Sequence, residues 1–177
     1  MGDAARRTAE LTVVLTVAAD AATLGRAAFL ARYPFPVLVA IGWRRTAWAG
    51  GAYDSTARPT PVVGPVTAPL DADAPVWSIP DPDAVHGTVR VGRAPGNDIV
   101  IPEPSISKWH VELCFDGRLW FARDAGSRNG TWIEGAKVPT EVPIPIRSGD
   151  TLTLGTDVRL RFLTPDALFE QCVMPRR

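Results

Sequence analysis

Cysteine and histidine are scarce in these 177 residues, with two of each, and the scarcity excludes whole classes of protein. Two cysteines, Cys114 and Cys172, cannot staple a disulfide framework. With no Cys-x-x-Cys or His-x-x-x-His spacing there is no zinc pattern either, so no metal and no cofactor are expected. An excess of charge is also lacking: 19 Lys and Arg face 19 Asp and Glu. Residues 1–75 hold seven basic against six acidic side chains, and residues 76–177 hold twelve against thirteen. No run of Lys or Arg exceeds two. Nucleic-acid binding draws on a basic face that displaces counterions, so no nucleic acid is expected as partner. The apolar stretch from Leu11 to Ala19 is nine residues long, short of the ~20 helical residues that span a bilayer. Arg6-Arg7 before it and Ala19-Asp20-Ala21 at its end raise a signal-peptide reading, but Glu10 interrupts the basic flank. The expectation is a cytoplasmic chain with no membrane contact.

What the sequence does have is a concentration of hydrogen-bond donors between Gly92 and Thr131. Arg93, Ser107, Lys108, His110, Ser127, Arg128, Asn129 and Gly130 lie in turn-rich stretches between short apolar runs. A guanidinium, an ammonium, hydroxyls and an amide can surround phosphate oxygens with charge-assisted hydrogen bonds, which are roughly twice as strong as neutral ones. A nucleophile with its base is harder to find. Ser107, His110 and Asp124 supply the residue types of a hydrolytic triad, but no Gly-x-Ser-x-Gly elbow surrounds Ser107. Gly126-Ser127-Arg128-Asn129-Gly130 is bounded by glycines, yet no phosphate-binding Gly-Lys-Ser/Thr follows it. The donor set fits a binding module for a phosphorylated side chain, and the chain is not expected to be an enzyme.

The apolar runs themselves read as strands. Residues 88–91, 99–101, 110–115, 118–121, 131–133, 152–154 and 158–162 alternate with period two or are rich in β-formers. Asp116-Gly117 has the composition of a type I′ hairpin turn, and Asn129-Gly130 and Glu134-Gly135 punctuate other runs. Short strands at this spacing favour a sandwich, with binding residues on the loops that gather at its ends. Within that pattern Cys114 is expected to fill space as a small apolar side chain.

Four blocks, Gly92-Arg93, Asn97-Asp98-Ile99, Ser107-Lys108-Trp109-His110 and Asp124 to Thr131, are followed by Ser148-Gly149-Asp150. Together they resemble the core signature of the forkhead-associated (FHA) domain, over roughly residues 75–165. The resemblance implies an FHA-like β-sandwich; taken with the residues before it, the expected fold class is all-β, that sandwich preceded by a short helical or extended N-terminal region. It further implies that Arg93, Ser107 and Lys108 face the phosphate of a phosphothreonine peptide. Asn129 would hold the peptide main chain, and Arg128 would lie near side chains following the phosphothreonine. Gly92, His110 and Gly130 would support the loops from behind. Lys108 stands where the family often has Arg or Asn, keeping a donor of different reach; Trp132 stands where a smaller aliphatic residue is usual. The function implied is a phosphothreonine-dependent adaptor in Ser/Thr kinase signalling, with a Thr-phosphorylated protein or a Ser/Thr kinase as partner.

Outside that region the sequence divides into residues 1–49 as a helical or extended appendage, 50–75 as a linker, 76–165 as the sandwich and 166–177 as a C-terminal tail. Leu24, Ala27, Ala28, Leu30 and Ala31 have helical spacing within Asp20 to Arg32, and Tyr33-Pro34-Phe35-Pro36 stops that helix. Residues 37–43 form a β-like run. Tyr33, Phe35, Trp43 and Trp48 are expected to pack inward, the alternative being a partner-facing patch that makes the chain a phospho-independent assembly module. Residues 50–75 shift to Gly, Ala, Pro, Thr and Asp, a semi-rigid spacer. Thr67 with Leu70 three residues on supplies a further expectation, self-association through phosphorylated Thr67.

Overall fold

The computed structural model describes residues 10–41, 70–85 and 87–173. Strands β1 (Leu11–Val13), β2 (Val37–Ala40), β3 (Pro75–Ser78), β8 (Thr131–Ile133), β9 (Ala136–Lys137), β11 (Thr151–Leu154) and β12 (Val158–Leu163) form one sheet in the order β1-β3-β2-β12-β11-β8-β9. Strands β4 (Thr88–Gly92), β5 (Ile99–Val100), β6 (Val111–Phe115), β7 (Trp120–Asp124) and β10 (Ile144–Ile146) form the other, in the order β10-β7-β6-β4-β5. The β-sandwich expected from the alternating runs is the fold of the molecule. Val89 and Val91 of β4, Leu113 of β6 and Ala122 of β7 meet Leu152, Leu154, Leu160 and Phe162 in the core between the sheets. Intervening residues such as Arg90 and Arg123 face outward, as the two-residue period of a strand requires.

The boundary expected at residue 76 is corrected by β2, which pairs with β12 in the register Val37↔Leu163 to Ala40↔Leu160 and with β3 on its other side. The sandwich therefore begins inside the stretch read as an appendage. Val37 to Ala40 is buried on both faces: Leu38 and Ala40 enter the sandwich core, while Val37 and Val39 enter a second cluster. A strand covered on both sides reads as an unbroken apolar run.

Helices α1 (Val14–Arg32) and α2 (Pro165–Val173) provide the second cover. Val14, Val17, Ala21 and Phe29 of α1 pack with Leu168 of α2 over Val37, Val39, Val76 and Leu163. The stretch read as a C-terminal tail is thus a helix through Val173. Helix α1 starts six residues before the expected one, and its phase breaks at Gly25, where φ 69° and ψ 165° are non-helical. A side chain is strained at such φ, and glycine is not. Leu24, just before that break, is 43% exposed. By length and apolar composition α1 could cross a bilayer; in the fold its buried side chains lie against the sheet, and Leu11–Val13 before it is paired to β3. Tyr33 ends the helix as expected and donates its hydroxyl to Asp20 Oδ2 at 2.6 Å. Tyr33 is buried and Phe35 half-buried, whereas Trp43, Trp48 and Thr67 lie outside the described residues. Leu70 is buried in the same cluster as Val17 and Phe29, so the third residue after Thr67 is already engaged within the fold.

Two turns differ from the sequence reading. Residues 116–119 connect β6 to β7 as a four-residue loop, because the Asp116 carboxylate accepts the N–H groups of Arg118 and Leu119 at 2.8 and 2.7 Å. Asp116 is accordingly not among the residues of positive φ. The two-residue turn with positive φ at both positions occurs instead at Glu134-Gly135, with φ 48° and 78°. Cys114 is half-buried on the outer face of the five-stranded sheet, opposite Phe121 and 3.8 Å from Thr88 Oγ1, so it fills space outside the core.

Candidate functional site

Three loops meet at one end of the sandwich: residues 93–98 after β4, 101–110 after β5 and 125–130 after β7. The first two are laced by main-chain bonds. Arg93 N donates to Ser107 O at 2.9 Å and Ala94 N to Lys108 O at 3.1 Å. The close approach sets the residue before Arg93, since a Cβ on Gly92 would lie 2.4 Å from Lys108 O. Backbone cannot yield as a flexible side chain can, so only glycine fits. Asn97 ties the same junction from below: it is 6% exposed, and its Nδ2 donates to Ala94 O at 2.7 Å and Lys108 O at 2.6 Å. The sequence reading placed Asn97 in its signature without a role, although a buried amide between two turns has to spend its donors.

The third loop is organised by Asp124, at 2% exposure. Its Oδ1 accepts Gly126 N and Ser127 N, both at 3.0 Å, and its Oδ2 accepts the hydroxyls of Ser127 and Thr131, both at 2.6 Å. Bonds to backbone N–H groups two and three residues on are the turn that Asp forms most readily. Burial works to raise its pKa, but the hydrogen bonds from Ser127 and Thr131 outweigh it and hold the carboxyl below its ordinary value. Ser127 Oγ in turn accepts Gly130 N at 2.9 Å. Trp132 presents its ring to Gly130, where a Cβ would lie 2.8 Å from it, so the larger residue at this position packs under the loop.

The loops are joined to one another at Ser105 and Ser107. Arg128 N donates to Ser107 Oγ at 2.9 Å, and Asn129 Nδ2 donates to Ser105 O at 2.8 Å. Arg93 Nε donates to Ile106 O at 3.2 Å. Arg93, Ser107, Lys108, Arg128 and Asn129 are therefore brought together around residues 105–108. Arg93, Lys108 and Arg128 are exposed, and Ser107 and Asn129 are half-buried.

His110 lies behind them, fully buried. Ser107 N donates to its Nδ1 at 3.0 Å, so Nδ1 carries a lone pair and the ring hydrogen sits on Nε2, 2.9 Å from Gly130 O. Both ring nitrogens are spent on main chain, and Asp124 is spent on Ser127 and Thr131. The three residue types of a triad are present without the relay between them. Burial drives the His110 pKa below its ordinary value, against the opposing effects of Gly130 O and Asp124. A histidine kept neutral by folding takes up its proton more readily in the unfolded chain, so the contribution to stability is complete above about pH 6.5 and declines as the pH falls below it. The melting midpoint is expected to drop between pH 7.5 and 5.5. In His110→Gln, thermal melts should lose that part of the slope; an unchanged slope would remove His110 as its source.

Residues 89–155 match the family model described as FHA domain, and this segment of the chain is an FHA domain. It is similar to the FHA domain-containing protein FhaB of Mycobacterium tuberculosis, 38% identical over 72 residues that make up 41% of this chain and 41% of FhaB. FhaB of Mycolicibacterium smegmatis is 40% identical over 58 residues, 33% of this chain and 37% of that protein. The chain thus spans about two-fifths of the length of these curated relatives. Among solved structures, the N-terminal FHA domain of Saccharomyces cerevisiae Rad53p in complex with a phosphothreonine peptide is 25% identical. That likeness covers 47% of this chain and 72% of the other, with a TM-score of 0.41.

Proposed function

We propose that this FHA domain binds a phosphothreonine peptide and acts as an adaptor in Ser/Thr kinase signalling, with no catalytic step of its own. The observation that carries the reading is the set of donors left over at the loop end. Arg93 commits Nε to Ile106 O, which aims the guanidinium while its terminal N–H groups stay available to an oxyanion. Ser107 Oγ accepts from Arg128 N, so its own hydrogen can point to a phosphate oxygen. Lys108 adds an exposed ammonium beside them. A phosphate brings about −1.5 to −2 charge at neutral pH, against the single hydroxyl of unmodified threonine. Arg128 and Asn129, on the adjoining loop, would meet the residues that follow the phosphothreonine and the peptide main chain.

The same reading places the protein in the cytoplasm. Cys114 and Cys172 are not joined in a disulfide, which suits a reducing compartment, and cleavage after about residue 20 would remove β1 together with Val14 and Val17 of the second core.

Fluorescence polarisation against matched phosphothreonine, phosphoserine, glutamate and unphosphorylated peptides tests the function. Binding to the phosphothreonine peptide with at least tenfold weaker binding to the unphosphorylated one is expected. Equal affinity for both would overturn it in favour of a phospho-independent assembly module.

A further inference from the structure

Next to the loop end, the outer face of the five-stranded sheet carries Arg90, a cation that forms no ion pair among the described residues. Arg90 of β4 lies directly across from Glu112 of β6, an arrangement in which opposite charges ordinarily pair. The Glu112 carboxylate is taken instead by Arg123 of β7, through both Nε and a terminal nitrogen. The Arg90 guanidinium stands over the ring of Trp109, 4.9 Å from the centroid. Trp109 sits between Lys108 and His110 and is 45% exposed, a large aromatic surface left at the rim. A guanidinium attracted to a ring face keeps its N–H groups as donors, and such a group can meet a carboxylate with two parallel bonds.

We infer that Arg90, held against Trp109, is a second anion subsite that reads an acidic side chain, Asp or Glu, preceding the phosphothreonine in the bound peptide. The inference rests on the phosphopeptide reading above. Ser107 faces the loop after β7 through Arg128, whereas Trp109, two residues on, faces β4 through Arg90. If the residues after the phosphothreonine run along Arg128, those before it run along Trp109. Arg90 precedes Arg93 by three residues of extended chain, about 10 Å at 3.3 Å per residue. An extended peptide covers that distance in about three residues, which puts the acidic side chain at the third position before the phosphothreonine. A carboxylate suits this place, because one guanidinium offers two parallel N–H groups that match two carboxylate oxygens.

The test is a double-mutant cycle. Phosphothreonine peptides with Ala or Asp at that third position are titrated into the full chain and into Arg90→Gln, Arg90→Lys and Trp109→Leu. With the unaltered chain the Asp peptide is expected to bind about threefold to tenfold more tightly at low salt, and the advantage should shrink as salt rises. The ratio should fall to about one in Arg90→Gln, persist in part in Arg90→Lys, and be reduced in Trp109→Leu. Equal binding of the two peptides, or a preference that survives Arg90→Gln, overturns the subsite and leaves the phosphate reader standing. A phosphothreonine at that third position that binds better than Asp overturns the choice of carboxylate. Failure of every phosphopeptide to bind removes the proposed function itself.

Discussion

Arg93→Ala is expected to weaken phosphopeptide binding tenfold to a hundredfold or more while the sandwich stays folded. Hydrogen bonds to charged groups contribute roughly 1.5–3 kcal/mol each, and every 1.4 kcal/mol is about a factor of ten in affinity. Losing one or two such bonds gives the stated range. The fold should notice far less. Arg93 is exposed, and among the described residues its side chain makes one bond, to Ile106 O, whose net contribution is about 1 kcal/mol. The main-chain bond from Arg93 N to Ser107 O remains in the variant. Isothermal titration beside circular dichroism separates the two effects, and unchanged affinity in a folded Arg93→Ala protein would refute the assigned role. Arg93→Lys should recover only part of the loss, because an ammonium cannot bond Ile106 O and present a planar fork at once.

The largest expected loss of stability lies one loop away, in Asp124→Ala. The carboxylate is nearly inaccessible and accepts from two N–H groups and two hydroxyls. Its removal leaves those donors without a partner, and a buried donor left unsatisfied costs about 1–3 kcal/mol. A total of about 3–5 kcal/mol is expected after some donors turn to water, a large share of the 5–15 kcal/mol that holds a domain folded. Urea denaturation should show it as a lower midpoint at similar slope. A loss of under 1 kcal/mol would mean that the loop is held by Trp132 and the Ser105–Asn129 bond rather than by Asp124. Asp124→Asn should fall between, keeping an acceptor for the two N–H groups but placing an amide NH2 against the hydroxyls.

The strands and the loop end were legible in the sequence because both are encoded locally. Thr88-Val89-Arg90-Val91 alternates, and a single buried face follows from that. Gly92, Ser107 and His110 lie in short blocks whose chemistry can be read in isolation. What could not be read is what non-local pairing supplies. Val37 to Ala40 is an apolar run equally consistent with an appendage, and its place between β3 and β12 depends on partners 37–41 and 120–126 residues away in the chain. The helix expected from Asp20 begins at Val14 and is interrupted at Gly25, where the backbone leaves helical φ/ψ, and a spacing count across residues 24–31 detects neither. Asp124 was weighed as a catalytic acid, since residue type alone does not say that its oxygens are already taken by Ser127 and Thr131. Trp109 and Arg90 are 19 residues apart, and only the turn that brings residue 109 over β4 joins them.

Strand β12 has a directional consequence. Gly155, just before it, touches the recognition loops through its bond to Gly130 O, whereas Leu163, at its far end, pairs with Val37 and leads into α2. Six strand residues separate those points by roughly 17 Å. The α1-to-β2 and β12-to-α2 junctions therefore lie at the end of the sandwich remote from Arg93, Ser107 and Asn129, so a substitution at either junction is expected to leave the loop end in place.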